Sequence, residues 1–304
     1  MPDLFVPDTL EDAIRFLGDH AGSALPIAGG TDVMIDTRIG RVRTDWLVDL
    51  SGLGALAGID FDGERVRIGA LTRIRTVELD AELARRATAL VEAARVLGSV
   101  QVRNMATIGG NLCHATPSAE MPPVLLVHDG VAEVAGPAGE RELPLAELFA
   151  GPGRTTLEPG ELLTAVRLRA PSSGGGSCYL RQTVRWSMDL AGVGVAASVE
   201  VEGATVTRAR VALGAVAPVP LLVGAAADAV TETELPPEAA AEAGGRAAAA
   251  CSPITDARGT AEYRREVVSV LVPRALRIAW LRATGAWPAG VPARINGVLS
   301  EDVP

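Results

Sequence analysis

The organisation of this 304-residue chain depends on one short motif, Thr107-Ile108-Gly109-Gly110-Asn111-Leu112. It follows Gln101-Val102-Arg103-Asn104-Met105-Ala106 and leads into a segment that prolines interrupt. That segment is too polar and too irregular to form a core strand. Adjacent glycines let backbone N–H groups approach a ligand closely, and the neighbouring Thr and Asn add side-chain donors. The motif therefore predicts a loop that holds an oxyanion, although a tight structural turn would need glycines as well.

A second double-glycine segment, Ala28-Gly29-Gly30-Thr31-Asp32, lies upstream of the first. It follows an apolar stretch that begins at Ala24 and precedes a helical turn at Val33, so we expect it to connect a strand to a helix. Free N–H groups and the helix dipole at such a junction suit an anion. Two loops of this kind that meet in space could hold a diphosphate without a lysine. The alternative is two unrelated tight turns in a mixed domain.

The composition excludes several classes of function. The chain contains no lysine, so it has neither a Schiff base nor a lysine general base. Its net charge of −9 argues against a nucleic-acid partner, because phosphate binding needs a basic face. Cys113, Cys178 and Cys251 have no metal-site spacing, so we expect no metal site on this chain and a cytoplasmic location. We also expect no signal peptide and no membrane span.

Hydrophobic periodicity predicts an α+β chain whose first domain covers residues 1–172. Thr9 is predicted to cap a helix that ends near His20, with Asp12 in the capping-box position. A β-hairpin is expected over residues 56–70, and one continuous helix over residues 82–97. A strand from Glu161 to Leu168 ends the domain.

The predicted boundary is the glycine- and serine-rich segment 170–177, which has the composition of a flexible linker. The second domain, residues 178–283, is a smaller α+β unit with three antiparallel strands followed by three helices. The strands are expected at 178–184, 193–201 and 205–213, and the helices at about 222–231, 237–250 and 261–283. Residues 284–304 are assigned to a tail.

Polar residues after the Thr107 motif have both functional and structural interpretations. Glu120 could accept a hydrogen bond from a ribose hydroxyl, but an exposed loop acid has the same sequence signature. Cys113 and His114 lack the paired base of a nucleophilic site, so we interpret them as wall residues.

Other motifs point to structural roles or are absent. The spacing of Arg181, Arg185 and Asp189 favours a buried ion pair over a cofactor contact. The sequence has no GxGxxG motif that follows a first strand and precedes an acidic residue at the distance typical of dinucleotide-binding domains. A Rossmann domain is therefore disfavoured. A P-loop is excluded because it requires a lysine.

Several segments together resemble one known family, the FAD-binding medium subunit of molybdenum hydroxylases such as xanthine dehydrogenase and carbon monoxide dehydrogenase. The resemblance covers residues 3–283 and rests most on the TIGGN motif and on the segment after Asp256. The segments that carry it are Ala28–Asp32, Gln101–Asn104, Thr107–Leu112, Ala115–Pro123, Glu161–Thr164, Arg185–Ala191 and Asp256–Arg265.

The resemblance implies a fold and a set of cofactor residues. The fold is an FAD-binding domain of the p-cresol-methylhydroxylase (PCMH) type in two α+β lobes, followed by a CO dehydrogenase flavoprotein-like C-terminal domain. Two segments would wrap the FAD diphosphate, Leu97 would lie near the adenine, and Leu163 would lie against the isoalloxazine. The implied FAD-binding residues are Pro26, Ile27, Ala28, Gly29, Gly30, Thr31, Asp32, Val33, Leu97, Thr107, Ile108, Gly109, Gly110, Asn111, Glu120, Leu163 and Arg181. None is assigned a catalytic or metal-binding role.

Three positions depart from the family pattern. Glu120 stands where the family usually has Asp, and Arg181 stands where it often has Lys. Arginine and lysine are not equivalent donors, so this difference bears on how the flavin is tuned. Leu190 stands where some members have an aromatic residue, which removes ring stacking at that place.

The implied function is electron transfer within a hetero-oligomer. A molybdopterin-binding large subunit would oxidise the substrate, and [2Fe-2S] clusters on a small subunit would pass electrons to FAD on this chain for an external acceptor. The alternative is a free-standing FAD-dependent oxidase or dehydrogenase that acts directly on a small molecule. A scaffold subunit that has lost FAD is a third interpretation, which the intact glycine segments disfavour.

Overall fold

The computed structural model describes residues 2–171, 173–185 and 188–288. The first lobe contains β1 (Asp3–Phe5), α1 (Leu10–Asp19), β2 (Ala24–Ile27), α2 (Val33–Arg38) and β3 (Trp46–Asp49). Its strands form a parallel sheet in the order β1-β3-β2. The predicted cap is confirmed, because the Asp12 N–H donates to the Thr9 hydroxyl oxygen at 3.1 Å. Helix α1 buries Ala13 and Leu17 against Val48 of the sheet.

The second lobe is a five-stranded antiparallel sheet covered by short helices. Its strands are β4 (Ile59–Asp62), β5 (Arg65–Gly69), β6 (Val131–Gly136), β7 (Gly139–Pro144) and β10 (Leu162–Arg169), with the small pair β8 (Phe149–Gly151) and β9 (Arg154–Thr155) beside them. Its helices are α3 (Ile74–Leu79), α4 (Ala81–Arg86), α5 (Thr88–Val96), α6 (Val100–Met105), α7 (Ile108–Cys113) and α8 (Met121–Leu126). The sheet order is β4-β5-β10-β6-β7. The predicted hairpin is confirmed as β4 and β5.

The single helix predicted over residues 82–97 is wrong. The chain breaks at Ala87, which has φ −137° and ψ 54°, so α4 and α5 are separate helices. The Arg86 side chain at the end of α4 donates to the carbonyl oxygens of Ala170 and Gly63. Helix α5 buries seven of its nine residues. The break therefore serves tertiary packing, and no residue near Ala87 signals it locally.

The C-terminal domain has one more strand than predicted. The four-stranded antiparallel sheet comprises β11 (Gly175–Gln182), β12 (Val193–Glu202), β13 (Thr205–Gly214) and β14 (Leu221–Leu222). The helices are α9 (Gly224–Asp228), α10 (Pro237–Ala250) and α11 (Ala261–Ala283), so two of the three predicted helices have the expected bounds. Strand β14 was missed because two residues cannot show a periodic pattern.

The predicted flexible linker is wrong in its second half. Residues 175–177 belong to β11, and a Cβ atom on Gly176 would lie 2.1 Å from the Ala279 carbonyl oxygen of α11. The glycine is therefore required for close packing of strand on helix. The core of the second lobe also includes Tyr179, Ala196 and Ala212 of the C-terminal sheet. The assigned limits 1–172 and 178–283 remain predictions, and residues 289–304 of the assigned tail lie outside the described residues.

A buried ion pair connects the two domains. The Glu92 carboxylate on α5 accepts from Arg282 Nη2 on α11 at 2.6 Å and from the Tyr179 N–H of β11 at 2.9 Å. Arg282 Nη1 also donates to the Ser177 carbonyl oxygen at 2.5 Å. The side chains of Glu92 and Arg282 are 8% and 10% exposed. Removing one partner would leave the other charge buried and unpaired.

We expect Arg282→Met to destabilise the protein by about 3–5 kcal/mol, because it leaves the Glu92 carboxylate uncompensated. Urea unfolding followed by circular dichroism measures the change. The control is Arg85→Met, which removes a partner of the exposed Arg85–Glu82 pair and should cost less than about 1 kcal/mol. Equal losses in the two variants would contradict the assignment of Glu92–Arg282 as an interdomain connection.

Candidate functional site

The first double-glycine segment lies where the chain leaves β2 and enters α2. Within the described ranges, none of the backbone N–H groups of residues 28–33 donates to a protein acceptor. Gly30 has a φ of +68°, which lies in the left-handed region that glycine adopts without strain. A run of unpaired backbone N–H groups at such a turn is an anion-binding arrangement. This segment therefore offers neutral donors to an oxyanion, as its sequence predicts.

The second segment differs from the expected loop, because residues 108–113 form α7 with Thr107 as its N-cap. The N–H groups of Ile108 and Gly109 donate to the carbonyl oxygens of Thr72 and Ala70, at 3.0 and 2.7 Å. The next two N–H groups donate to Thr107, one to its hydroxyl oxygen and one to its carbonyl oxygen. The expectation that this motif presents free backbone amides is therefore wrong. What it presents instead is the exposed, side-chain-free Gly110 and the Asn111 side chain.

The glycine at position 109 is required by close packing of α7. A Cβ atom at this position would lie 2.8 Å from the Ala70 Cβ and 2.9 Å from the Ala70 carbonyl oxygen. Helix α7 therefore packs directly on the chain that follows β5, and only glycine permits this distance. By contrast, a Cβ atom on Gly110 would meet nothing within 4 Å except the Thr107 hydroxyl oxygen, at 3.0 Å.

The structure brings the two glycine segments together, as expected. A Cβ atom on Gly29 would lie 1.9 Å from the Met105 carbonyl oxygen and 3.0 Å from the Ala106 nitrogen. The backbone of the first segment is therefore in direct contact with the residues that precede Thr107. The unpaired amides of residues 28–33 and the start of α7 belong to one site at the junction of the two lobes.

Side chains without protein partners lie at this junction. Asn111 Oδ1 and both ring nitrogens of His114 are shielded from solvent and have no hydrogen-bond partner among the described residues. His114 Nε2 lies 3.7 Å from Asp36 Oδ2 on α2. Buried polar atoms in native proteins are nearly always paired, so these three atoms are exceptions, and the chain's own atoms cover them.

The implied adenine residue Leu97 is held by a residue that the sequence reasoning did not assign. Arg103 Nη1 donates to the carbonyl oxygens of Leu97 and Gly98, at 3.1 and 3.3 Å, and Arg103 Nε donates to Glu78 at 2.7 Å. Burial raises the pKa of Glu78, but its bonds to Arg75 and Arg103 outweigh this effect and lower the pKa overall. Arg103 therefore positions the Leu97 turn relative to α6. Its carboxylate partner is distant in sequence, so no local pattern reveals the pair.

Glu120 and Arg181, two implied cofactor residues, contact each other. Arg181 Nη1 on β11 donates to Glu120 Oε1 at the start of α8, at 2.7 Å, and the two side chains are 1% and 6% exposed. The interpretation of Glu120 as an exposed loop acid is therefore wrong. Burial raises the pKa of Glu120 to about 7, although the Arg181 charge opposes the shift. Arg181 Nε is buried and has no hydrogen-bond partner among the described residues.

The hairpin loop after β11 is connected to this pair. Arg181 Nη1 also donates to the Asp189 carbonyl oxygen at 3.1 Å. The Asp189 carboxylate accepts from the Arg185 N–H at 2.8 Å and lies 3.8 Å from the Arg185 guanidinium. The expected ion pair among Arg181, Arg185 and Asp189 therefore involves only the last two, at an exposed position. Leu190 is 46% exposed.

The remaining candidates have packing roles in this structure. Leu163 is buried in the second lobe next to an irregularity in β10, where the pairing with β6 shifts register.

Burial raises the pKa of the Cys113 thiol to about 12 and that of Cys251 to about 11, and it also raises the pKa of Cys178. The three cysteines are free thiols that remain protonated at neutral pH, and protonated thiols are poor nucleophiles and metal ligands.

The Glu120 carboxyl should make stability depend on pH. Its folded pKa of about 7 lies above the ordinary value of 4.5, so the folded state holds a proton that the unfolded state releases. The contribution of this group is fully present below the unfolded pKa and is lost as pH rises towards 7. We expect the stability of the wild type relative to Glu120→Gln to fall between pH 5 and 7.5, measured by urea unfolding across that range.

The control is Glu238→Gln, which changes an exposed residue in the first turn of α10. Its stability should follow the wild-type pH profile. A Glu120→Gln profile parallel to that of the wild type would show that the folded carboxyl titrates normally.

The family of this chain follows from comparisons with known proteins. Residues 2–171 match the family described as the FAD binding domain in molybdopterin dehydrogenase, and residues 178–279 match the CO dehydrogenase flavoprotein C-terminal domain. The chain is 32% identical to the carbon monoxide dehydrogenase medium chain of Afipia carboxidovorans, over 92% of this chain and 97% of that relative. It is 35% identical to the putative xanthine dehydrogenase FAD-binding subunit of Escherichia coli, over 70% and 73% of the two chains.

Solved structures show the same similarity. A chain of carbon monoxide dehydrogenase from Hydrogenophaga pseudoflava superposes with a TM-score of 0.89 at 31% identity, over 92% of this chain and 98% of that one. A chain of quinoline 2-oxidoreductase from Pseudomonas putida superposes with a TM-score of 0.87 at 26% identity, over 93% and 98%. This chain therefore belongs to the FAD-binding subunits of the molybdopterin dehydrogenase family, and it is an FAD-dependent oxidoreductase subunit.

Proposed function

We propose that this chain is the electron-transfer subunit of a molybdenum hydroxylase-type dehydrogenase. It accepts electrons from [2Fe-2S] clusters of a partner subunit and delivers them to an external acceptor. The observation that supports this proposal best is the run of N–H groups at residues 28–33, which have no acceptor among the described residues and lie beside the start of α7. Neutral donors in this number suit a diphosphate in a chain that has no lysine.

The residues present fit FAD along the lobe junction. Residues 26–33 would hold the diphosphate through their amides, and residues 107–111 would approach it through Gly110 and the side chains of Thr107 and Asn111. Leu97, held by Arg103, would border the adenine. Glu120, Arg181 and Leu163 would border the rest of the cofactor. Bound FAD supplies the redox chemistry, and the protein's contribution is binding, orientation and electrostatics.

The partner subunits are inferred from the relatives and from the chemistry of this chain. The relatives include medium chains of carbon monoxide dehydrogenase and FAD-binding subunits of xanthine dehydrogenase. The three cysteines lie far apart in the sequence, and no group of three or more His, Cys, Asp or Glu side chains among the described residues could hold a metal. We therefore place the clusters and the molybdopterin on other subunits. Free cysteines also support a cytoplasmic location. Even α11, the longest of the described helices, is not apolar enough to span a bilayer.

Gly110→Val should weaken FAD binding by about tenfold or more, because side-chain bulk would occupy the exposed face of α7 that we assign to the diphosphate. Fluorescence titration of the apoprotein with FAD measures the dissociation constant. The matched control is Gly245→Val on α10, an exposed helical glycine with nothing within 4 Å of its Cβ position. This control should bind FAD like the wild type. Unchanged FAD affinity in Gly110→Val would overturn the assignment of this face.

The electron-transfer role is tested on the complex isolated through an affinity tag on this chain. We expect molybdenum and acid-labile sulfide to be recovered in constant proportion to FAD through gel filtration. Reduction of the complex by its substrate should bleach the flavin absorbance, whereas the isolated FAD-loaded chain should remain oxidised with the same substrate. Turnover of a substrate by the isolated chain would instead establish the free-standing flavoenzyme.

A further inference from the structure

Helix α2 exposes its large apolar side chains and buries an acid. Asp36 is the one buried residue of its six. Met34 is 50% exposed and Ile35 is 58% exposed, and Ile39, directly after the helix, is 59% exposed. A surface helix normally turns its apolar face to the core and its charges to water. The reversed pattern on α2 indicates a surface that another molecule covers.

The exposed residues of this segment are neighbours on the molecular surface. Met34 and Arg38 are four residues apart, so they lie on the same face of the helix. Ile35 and Ile39 are related in the same way and form the adjacent row. Two further exposed arginines follow in the next turn. We define the α2 surface by six residues, Met34, Ile35, Arg38, Ile39, Arg41 and Arg43.

Asp36 fixes the turn after α2 against the helix. Its carbonyl oxygen accepts from the N–H groups of Arg41 and Val42, at 2.8 and 3.2 Å. Its carboxylate accepts from the Arg41 guanidinium at 2.8 Å. Within the helix, the Thr37 hydroxyl donates to the Val33 carbonyl oxygen at 2.7 Å. The α2 surface is therefore ordered before a partner arrives, which lowers the entropy lost on binding.

The α2 surface is basic in an acidic chain. It contains three arginines, whereas the whole chain has a net charge of −9. Arg38 and Arg43 contact no carboxylate among the described residues, and the Arg41 side chain remains 71% exposed beside Asp36. Arginine and methionine are enriched at protein interfaces. The partner that fits this surface has an apolar centre and carboxylates at its edge.

The α2 surface adjoins the segment that we assign to the FAD diphosphate. A Cβ atom on Gly30 would lie 3.2 Å from Met34 Cγ, so the Met34 side chain packs on the turn that carries the unpaired amides. Electron transfer slows steeply with distance, so a subunit that reduces FAD has to dock close to it. The α2 surface lies at such a place.

We propose that the α2 surface is the docking site of the subunit that carries the [2Fe-2S] clusters, through a complementary apolar and acidic face of that subunit. This inference rests on the proposed function, because it requires a cluster-bearing partner. A second copy of this chain fits less well. A two-fold interface would place the same patch opposite itself, and its arginines would then repel each other.

The test uses the complex isolated through an affinity tag on this chain, with acid-labile sulfide per FAD measured after gel filtration of a dilute sample. Ile39→Glu should lower this ratio by about tenfold or more, because it places a carboxylate opposite the partner's carboxylates. The control is Ile254→Glu in the C-terminal domain, where the isoleucine is 69% exposed. It should keep the wild-type ratio. FAD dissociation constants should be unchanged in both variants, since Ile39 lies at the far end of α2 from residues 28–33.

Arg38→Gln tests the charged edge of the surface without adding a charge. Sulfide recovery with the wild type should fall more steeply with ionic strength than recovery with Arg38→Gln, because the variant has lost one attraction to the partner. The control is Arg95→Gln, which neutralises an exposed arginine in the last turn of α5. It should follow the wild-type salt dependence. If thermal unfolding shows that Ile39→Glu has lost its fold, Arg38→Gln decides the question.

A folded Ile39→Glu variant with wild-type sulfide recovery overturns the inference and leaves the proposed function standing, as does wild-type salt dependence in Arg38→Gln. Two further results would name another occupant if sulfide recovery is unchanged. Binding of the wild-type chain to vesicles of phosphatidylglycerol and phosphatidylcholine that Ile39→Glu abolishes would assign the surface to a membrane. A dimer of the isolated chain that Ile39→Glu dissociates would assign it to a second copy. A wild-type complex without sulfide would refute the proposed function itself.

Discussion

The site depends on a direct backbone contact between the two lobes. Gly29 of the first lobe meets the Met105 carbonyl oxygen of the second so closely that a Cβ atom would lie 1.9 Å from it. No other amino acid fits this place without moving one of the segments. The contact places the unpaired amides of residues 28–33 beside α7. One lobe therefore contributes backbone donors and the other contributes side chains, and neither half of the site is complete alone.

Three arginines in and around the candidate site contact carboxyl groups. Arg41 donates to Asp36, Arg103 to Glu78 and Arg181 to Glu120. Each of these three guanidinium groups lies against a carboxyl group, and removing Glu78 would leave the buried Arg103 charge without this partner. A dianionic diphosphate at this junction would be held mainly by neutral backbone donors, which lose little entropy because the turn already fixes them. This arrangement is consistent with a lysine-free sequence.

Local patterns predicted much of the fold. The Thr9 cap, the β4–β5 hairpin and the bounds of α10 and α11 all depend on residues close together in the chain, and all are confirmed. The break at Ala87 was missed because its cause is tertiary packing of α5. The helical state of α7 was missed for a different reason. Its two glycines suggest a loop, but the Thr107 cap and packing on Ala70 outweigh their low helix propensity.

The sequence predicts the segments of the candidate site but not the side-chain contacts between distant residues. Both glycine segments were recognised, and their meeting was expected, because each carries its signature locally. The partners of Arg103 and Arg181 lie 25 and 61 residues away in sequence, and a single sequence holds no signal for such a contact. The same limit applies to the amides of Ile108 and Gly109, whose acceptors, the carbonyl oxygens of Thr72 and Ala70, are fixed only by the packing of α7 on the sheet.

The structure brings together Glu120 and Arg181, the two charged positions at which the resemblance implies a departure from the family pattern. Glu120 replaces the usual Asp and Arg181 replaces a frequent Lys, and each alone suggests an altered flavin site. They are the two partners of one buried ion pair with a 2.7 Å contact. A carboxylate that is one methylene longer and a planar guanidinium change the reach and geometry of both partners. The opposite charges are retained at both positions, so the pair still connects α8 to β11. The structure therefore gives both positions one role in this chain, a buried contact between α8 and β11.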